Sequence, residues 1–284
     1  MFPTPLQKQS PRARAIYRIA VPVSLIVWLL PLFAIMLTST RSLDDLSAGN
    51  YWGWPTHLRV VQNYTEVFTR SPMGRYLLNS VVITLPAVIG ALALSTMAGF
   101  ALARYRFRGN LALFAIFIAG NFVPFQVLMI PVRDLFVHVV PLYDTVYALI
   151  LFHIAFQTGF CTLFMRNFIR ELPEALVEAA RMEGVTELRI FWHIILPLVR
   201  PALAALAVLE FTFIWNDYFW AVVLVQSDGA KPVTAGLQAL AGQWLASWQL
   251  MSAGALIAAA PSVVIFFVMQ RHFIAGLTLG AVKE

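Results

Sequence analysis

The organisation of this chain depends on residues 171–197, which read ELPEALVEAARMEGVTELRIFWHIILP and lie between two long apolar runs. Pro173 suits the first position of a helix, and Gly184 suits the left-handed residue that closes one. Thr186 can cap a second helix, which Pro197 is expected to end. The stretch therefore predicts two short helices on a loop.

The surfaces of these two helices indicate contact with another molecule. Small residues that allow a close approach are expected on the exposed face of the first helix: Ala175, Ala179 and Ala180. Glu178 and Arg181 offer charge pairing at its rim. Helical spacing predicts an apolar face on the second helix, directed at the membrane helices or an interface: Leu188, Phe191 and Ile195. From the residues alone, a docking peg for a protein and an amphipathic surface segment are equally open.

The composition around this loop is that of a membrane protein. Of 284 residues, 60% are apolar and 12% charged, whereas a soluble domain carries about a quarter charged residues. The mean hydropathy is +0.76. The single cysteine, Cys161, excludes a disulfide framework and a cysteine metal site, and we expect an inert packing residue. The net charge of +6 is spread over short segments, which argues against nucleic-acid binding.

Six apolar runs are long enough to cross a bilayer core about 30 Å thick. They are Ile16–Thr38, Tyr76–Ala103, Leu111–Val132, Leu142–Met165, Pro201–Val225 and Met251–Gln270. The first run is too long for a signal peptide, so we expect a retained helix. Pro124 and Pro131 fall in the third run and should kink it or end it early. The prediction is an all-α integral membrane protein with six transmembrane helices.

The runs also predict the division of the chain into segments. These are an N-terminal segment 1–15, the first helix 16–38, an external loop 39–75, a core 76–271 of five helices that includes the loop 167–200, and a tail 272–284. Aromatic rings in the external loop are typical of the headgroup level, with partner docking as the alternative: Tyr51, Trp52, Trp54 and Tyr64.

The basic residues indicate the orientation of the chain. If the N-terminus is cytoplasmic, 14 of the 20 Lys and Arg residues lie on the cytoplasmic side and 6 on the other. Positively charged residues concentrate in cytoplasmic loops of membrane proteins. We therefore expect a multi-pass membrane protein with both termini in the cytoplasm.

Signatures of catalysis are missing from the sequence. There is no Gly-x-x-x-x-Gly-Lys-Ser/Thr phosphate loop, no His-Glu-x-x-His array and no Gly-x-Ser-x-Gly elbow. The chain should not hydrolyse ATP alone, and we predict neither catalytic residues nor a metal site. His153 and Gln157 share one helical face, where a hydrogen-bonded packing pair is favoured over a proton relay.

One pattern in the loop carries a resemblance to a known family. Glu178-Ala179-Ala180, Gly184 after three further residues, and Ile194-x-Leu196-Pro197 after nine more resemble the EAA loop of permease subunits of bacterial ABC importers. In that family the loop supplies the coupling helix that docks on the ATP-hydrolysing subunit. The resemblance implies that coupling residues are Glu178, Ala179, Ala180, Gly184, Ile194, Leu196 and Pro197.

Further stretches resemble the second permease of carbohydrate importers of the maltose type. They are Asn79-Ser80, residues 99–109 (GFALARYRFRG), Trp215-Asn216-Asp217 and the tail 276–283 (GLTLGAVK). The tail of that family approaches the ATPase dimer interface, which implies ATPase contacts for Gly276, Gly280 and Lys283. The chain departs from the family at Glu183, where Asp is common, and at Glu284, where Gly is frequent.

The resemblance implies a type I permease fold in the bacterial cytoplasmic (inner) membrane and a set of partners. These are a second permease, two ATP-binding subunits that carry ATP and Mg, and an extracytoplasmic solute-binding protein. This chain would bind no cofactor itself. The cargo would be a sugar or sugar derivative, a class that includes polyols and glycerol phosphates.

Polar residues in the fifth run form a second candidate site. Glu210 and Asp217 are seven residues apart and should share one face of the helix, which must look into protein or water because each would cost about 2.5 to 3.5 kcal/mol at the bilayer centre. With Trp215 and Asn216 they could line the substrate pathway or contact the second permease. Interfacial anchoring with structural hydrogen bonds is the favoured alternative.

Two other function classes stay open at this stage. A secondary transporter driven by an ion gradient could use His153, Glu210 and Asp217 as a relay. The sequence shows no evident inverted repeat, and its elaborate loop argues against this class. An intramembrane enzyme would need a nucleophile or metal constellation that the sequence lacks.

Overall fold

The structure is a computed structural model that describes residues 10–241 and 247–279, with side chains described as far as Gln270. Every regular element in these ranges is helical, which confirms the all-α prediction. The helices are α1 Pro11–Ser39, α2 Leu43–Ser47, α3 Val60–Arg70, α4 Met73–Arg104, α5 Asn110–Gly120, α6 Met129–Asp134, α7 Val146–Glu171, α8 Glu174–Met182, α9 Glu187–Ile190, α10 Leu196–Trp215, α11 Phe219–Leu224, α12 Val233–Gly236 and α13 Trp248–Leu279.

Five helices in the described residues are long and apolar enough to cross a membrane. They are Pro11–Ser39, Met73–Arg104, Val146–Glu171, Glu187–Trp215 and Trp248–Gln270. A sixth span is possible as a bent pair, in which Asn110–Gly120 and Phe125–Val139 meet at 90°. The bend lies in the third predicted span, whose first helix ends at Gly120, before Pro124. The expected early end is therefore confirmed, although Pro131 lies within α6 and does not end it.

The fifth span differs from its predicted form at both ends. Pro197 does not end the preceding helix, because the helix continues without a break from Glu187 to Trp215. A π-helical turn, Phe191–Ile195, comes directly before α10 and shifts the backbone hydrogen bonds close to Pro197, the second residue of α10, which has no N–H to donate. The helix then ends at Trp215, ten residues short of the predicted Val225.

Contacts within the chain define two units, which are described separately. One contains residues 1–71 and 239–257, and the other residues 72–238 and 258–284. In the first unit, none of the most apolar part of α1 is buried in this chain. The following loop is ordered around Arg41, which is fully buried. Its guanidinium donates hydrogen bonds to the backbone carbonyls of Asn50, Tyr51 and Gly53.

The second unit contains α4, α7 and α10 packed together. At Gly99 of α4 a Cβ atom would lie 2.9 Å from the backbone nitrogen of Arg166, so only glycine permits this approach of α4 to α7. The buried core at this end of the helices includes residues from the loop that follows α7. Its members are Phe100, Cys161, Met165, Ile169, Val177, Ala180, Ile190, Phe191, Ile195, Val199 and Leu206.

Candidate functional site

The first helix of the loop, α8, has the ends that the sequence predicts. It begins after Pro173, one position later than expected, and closes at Gly184, whose φ of +73° is left-handed. The N–H of Gly184 donates to the carbonyl of Arg181 at 3.0 Å, and that of Val185 donates to the carbonyl of Ala180 at 3.0 Å. These two bonds form a Schellman motif, which fixes the direction in which the chain leaves α8.

The face of α8 that points away from the chain is narrower than predicted. Ala175, Glu178 and Ala179 are exposed. Ala180 is 8% exposed and packs with Val177 in the core, so the expectation of an exposed Ala180 is wrong. Residues three apart lie on the same side of a helix, and Val177 fixes which side is buried. The exposed surface is therefore centred on Glu178 and Ala179.

The second helix carries its matching residues at the base of the loop. Thr186 precedes Glu187 as predicted, although its side chain makes no capping hydrogen bond. The predicted apolar face is divided, because Phe191 and Ile195 are buried while Leu188 is exposed. The remaining positions of the family pattern, Ile194, Leu196 and Pro197, are half-buried. Ile194 and Leu196 also pack against the core.

A hydrogen-bonded cluster joins the two loop helices to the end of α4. Glu187 accepts hydrogen bonds from Arg181, Nε to Oε1 at 2.7 Å and Nη2 to Oε2 at 3.2 Å. The Tyr105 hydroxyl donates to Oε2 of Glu187 at 2.7 Å. Arg181 is thus paired within the chain, although the sequence suggested pairing with a partner. Sequence reasoning missed the roles of Tyr105 and Glu187, although Tyr105 lies in the matching stretch 99–109.

The electrostatics of this cluster follow from its burial and hydrogen bonds. Burial, followed by the hydrogen bond to Glu187, raises the pKa of Tyr105 from 10.0 to about 12. The hydrogen bond to Glu187 raises the pKa of Arg181. Both groups therefore keep their protons at neutral pH, and the cluster holds one carboxylate between a cation and a neutral phenol.

Two further contacts attach the loop to the helices that precede it. Arg104 donates from Nη2 to the carbonyls of Ile169 and Leu172, at 2.6 and 2.7 Å, where α7 ends. The rings of Phe100 and Phe191 lie 5.5 Å apart, centroid to centroid. Because α8 shares a buried core with α4 and α7, it is held firmly against the ends of these helices.

The second candidate site lies where the fifth span breaks. Buried Trp215 donates from Nε1 to the carbonyl of Ala258 at 2.9 Å. Asp217 accepts the backbone N–H groups of Trp220 and Ala221 at 3.3 and 3.1 Å and so caps α11. Exposed Asn216 donates to the carbonyl of Thr212 at 2.8 Å and to Oγ of Ser262 at 3.3 Å. These hydrogen bonds are the kind expected if the polar residues stabilise the fold. A role of these residues in the substrate pathway stays a prediction.

Glu210 and Asp217 do not lie on one continuous helix, so the expectation of a shared face is wrong. Glu210 is fully buried in α10, and neither of its carboxylate oxygens has a hydrogen-bond partner among the described residues. His153 places Nε2 at 3.7 Å from Oδ2 of Asp217. The predicted bond between His153 and Gln157 is not formed within the described chain. Instead, the contact between His153 and Asp217 joins α7 to the break.

Asn79 and Ser80, which match the family pattern without a predicted role, hold the segment that leads into α12. Asn79 donates from Nδ2 to the carbonyls of Gly229 and Lys231, at 3.1 and 3.0 Å. The hydroxyl of Ser80 accepts the N–H of Val233 at 2.8 Å. Both residues therefore fix the segment before α12 on the first turns of α4.

The predicted tail contacts fall at the end of the described chain. Gly280 and Lys283 lie outside the described residues, as does Glu284. Gly276 is in the last helical turns of α13, beyond the residues whose side chains are described. The expectation of ATPase contacts by the tail stays a prediction.

Comparison with known proteins defines the class of this chain. Residues 91–278 match the family described as "Binding-protein-dependent transport system inner membrane component". This match covers more than half of the chain, so the chain belongs to that family, the permeases of ABC importers. The family favours an importer over an ion-driven carrier and an intramembrane enzyme. It also makes the chain a multi-pass inner-membrane protein.

Several relatives match along nearly the full length. The chain is 34% identical over 272 residues to an osmoprotective compounds uptake permease of Synechocystis. This alignment covers 94% of this chain and 91% of the relative. It is 33% identical over 255 residues to an arabinooligosaccharides transport system permease of Halalkalibacterium halodurans, covering 89% of this chain and 90% of the relative.

The fold has also been solved in another protein. A chain of a bacterial ABC transporter involved in the import of alginate, an acidic polysaccharide, matches with a TM-score of 0.80 and 21% identity. The match covers 93% of this chain and 99% of that chain. This likeness confirms the fold of an ABC importer permease.

Proposed function

We propose that this chain is the non-catalytic permease subunit of an ATP-binding-cassette importer that carries a sugar or sugar derivative into the cytoplasm. The functions of its relatives support the substrate class, because one takes up arabinooligosaccharides and the solved neighbour belongs to a transporter that imports alginate. The relative that takes up osmoprotective compounds widens the class to small polar solutes. The absence of a phosphate loop supports a separate source of energy.

The observation that carries the coupling proposal is the exposed Glu178 on a helix whose other face is buried in the core. Closure of an ATPase dimer would move α8 as a rigid body. Because Val177 and Ala180 pack with residues of α4 and α7, that movement passes to the apolar helices and opens the pathway. Gly184 keeps α8 at a fixed angle to the second loop helix, while Ile194, Leu196 and Pro197 support its base.

The assembly that we propose contains four other subunits. They are a second permease, two ATP-binding subunits that carry ATP and Mg, and an extracytoplasmic binding protein that delivers the substrate. The excess of basic residues on one side supports an orientation with both termini in the cytoplasm. The family resemblance of the tail supports the proposal that Gly276, Gly280 and Lys283 contact the ATPase subunits on the cytoplasmic side.

At the break of the fifth span we propose a division of roles. Asn216 is exposed and can face the pathway or the second permease. Trp215 and Asp217 hold the break through their hydrogen bonds. Glu210 is fully buried, so a substrate does not reach it in this structure.

Gentle purification tests the coupling proposal. The tagged protein is extracted from native membranes in mild detergent, and the co-purifying proteins are identified by mass spectrometry. We expect an ATP-binding subunit and a second permease with the wild type, and loss of the ATP-binding subunit in Glu178→Lys. Glu171→Lys is the matched control, since it reverses an exposed charge at the end of α7.

Two results would contradict the proposal. Retention of the ATP-binding subunit by Glu178→Lys would exclude α8 as its docking helix. Equal loss in Glu171→Lys would show that any charge reversal at this surface has the same effect. The substrate class is tested separately, by the sugars that the co-purified binding protein retains.

A further inference from the structure

A cavity of about 1150 Å³ lies next to the coupling loop, and its wall is strongly cationic. It is formed by the end of α4, the connection to α5 and the end of α7. Five arginines line it, against one acidic residue, Glu174: Arg104, Arg106, Arg108, Arg166 and Arg170. So many like charges around one space favour an anion inside it.

The arginines are not neutralised by the described part of the chain. None of the five forms an ion pair with a carboxylate there. Arg104 donates to the backbone carbonyls of Ile169 and Leu172, which are neutral acceptors. Arg106, Arg108 and Arg170 are exposed. The positive charge of the cavity is therefore available to a ligand.

Arg166 is the strongest single indication of a ligand. It is 9% exposed, and its Nε atom is buried without a hydrogen-bond partner among the described residues. Its guanidinium carbon lies 3.7 Å from the ring centroid of Phe114, so an apolar ring covers one side of the cation. A buried cationic donor with an unused hydrogen is costly unless an acceptor reaches it.

The N-terminus of α5 opens into the same cavity. Gly109, with a φ of +90°, turns the chain into α5, and no side chain caps the first turn. That turn carries no acidic residue, and three of its residues line the cavity: Asn110, Leu111 and Ala112. The N–H of Asn110 donates to the carbonyl of Phe107 at 3.2 Å, whereas those of Leu111 and Ala112 have no backbone acceptor in the described chain. These two N–H groups and the positive end of the helix dipole add to the arginine charge and suit a phosphate group.

We propose that this cavity binds a phosphate group, from the headgroup of an anionic phospholipid or from a dissolved phosphate. Guanidinium groups bind phosphate oxygens in a bidentate manner, and several arginines with a helix N-terminus form a complete set of donors. Leu111, which lines the cavity, and Ile116, which lies beyond it on α5, both have exposed apolar side chains. Acyl chains of a lipid can lie there while the headgroup occupies the cavity.

The experiment measures phosphate binding to the purified full-length chain. Native mass spectrometry counts the lipids retained after addition of phosphatidylglycerol or phosphatidylcholine. We expect specific retention of phosphatidylglycerol, weakened about tenfold in Arg106→Gln and in Arg108→Gln, since each removes a charge-assisted contact. These two side chains are exposed, so both variants should fold. Arg200→Gln is the control, because Arg200 is an exposed arginine outside the cavity.

A second arm separates the two sources of the phosphate group. Thermal unfolding of the chain in detergent is followed with inorganic phosphate and with chloride at equal ionic strength. A rise in the unfolding temperature with phosphate that Arg106→Gln removes, together with no preference between the two lipids, assigns the site to dissolved phosphate. A lipid preference without this rise assigns it to the headgroup.

Two outcomes overturn the proposal. One is equal retention of both lipids together with no effect of phosphate on unfolding. The other is a purified complex in which an ATP-binding subunit excludes the lipid and the arginine variants weaken that subunit's binding, which would make the cavity a protein interface. Neither outcome affects the transport proposal, which depends on Glu178 and not on these arginines.

Discussion

The two ends of the helix from Glu187 to Trp215 carry polar groups that are used in different ways. At the loop end, Glu187 is bonded within the chain while Glu178 on the neighbouring α8 remains exposed. At the other end, the carboxylate of Asp217 is occupied by the cap of α11, and Trp215 is bonded to Ala258. The loop end thus exposes the charge of Glu178 on a helix that is packed firmly against the core. At the other end, Asp217 and Trp215 form hydrogen bonds that stabilise the local fold.

This difference separates docking residues from residues that maintain the fold. A side chain whose hydrogen bonds are already satisfied inside the chain has little to offer a partner, and its loss should be felt in stability. A side chain that is exposed on a rigid base can be replaced without loss of folding, and its loss should be felt in assembly. Substitutions at the two ends should therefore separate these two measurements.

The largest effect is expected for Gly184→Pro. Proline fixes φ near −65°, whereas Gly184 has a φ of +73°, and proline removes the N–H that bonds to the carbonyl of Arg181. The Schellman motif is then lost, α8 changes direction and substrate uptake is abolished, while membrane insertion stays normal. Uptake and co-purification of the ATP-binding subunit are the measurements. Gly184→Asn should retain uptake and the ATP-binding subunit, since asparagine tolerates the left-handed region. Normal uptake in the proline variant would show that coupling does not require a fixed angle of α8.

Asp217→Ala should act mainly on stability. It removes the acceptor of two N–H groups at the start of α11, a loss that costs about 0.5 to 2 kcal/mol for a helix cap. We expect a lower unfolding temperature in detergent, with the ATP-binding subunit still bound. Asp217→Asn keeps an oxygen acceptor and should recover most of the stability and the uptake. Loss of uptake in the stable asparagine variant would instead support a charge-dependent role in the pathway.

Glu187→Gln should produce a smaller effect at the loop end. It replaces the charged acceptor of Arg181 and Tyr105 by a neutral one, and both partners of the ion pair are partly exposed, so the cost is about 0.5 kcal/mol. Substrate-stimulated ATP hydrolysis should fall several-fold in the reconstituted complex, because α8 is held less firmly against α9. Glu183→Gln is the control, since Glu183 makes no side-chain bond within the described chain; an equal fall there would remove the special role of Glu187.

Some helix ends in this region can be predicted from the sequence and others cannot. The ends of α8 are predictable because turn chemistry is local, as at Gly184, where glycine adopts the required φ most readily. The end of the fifth span at Trp215 is harder to predict, since the apolar run resumes directly after Asn216 and Asp217 and continues to Val225. The continuation through Pro197 depends on a π-helical turn that no composition rule indicates. Local sequence thus predicts which residues are helical, whereas tertiary contacts determine where the fifth span ends.

The candidate site divides in the same way. Exposure of Glu178 follows from a charged residue on an amphipathic helix. Burial of Ala180 depends on which side faces α4 and α7, and alanine is compatible with either side. The cluster of Tyr105, Arg181 and Glu187 brings together positions as far as 82 residues apart, so spacing alone cannot predict it. The family pattern marks where the partner binds but gives no indication of these internal bonds.

The smallest effect concerns the protonation of Tyr105 and tests how strongly the loop is bonded to the end of α4. Burial and the hydrogen bond to Glu187 raise the pKa of Tyr105 from 10.0 to about 12. Between these two values the unfolded chain binds fewer protons at this group than the folded chain, so stability falls as pH rises. The contribution is fully present below pH 10 and is lost as pH passes through about 12.

Phenolate absorbance of the folded protein, taken as the difference between wild type and Tyr105→Phe, measures this titration. Glu187→Gln removes the carboxylate that opposes ionisation of the phenol, so the Tyr105 signal should appear at lower pH than in the wild type. Tyr17→Phe is the control, because Tyr17 is an exposed ring of α1. An unshifted signal in Glu187→Gln would mean that burial alone holds the proton, and that the bond between the loop and α4 is weaker than its 2.7 Å length indicates.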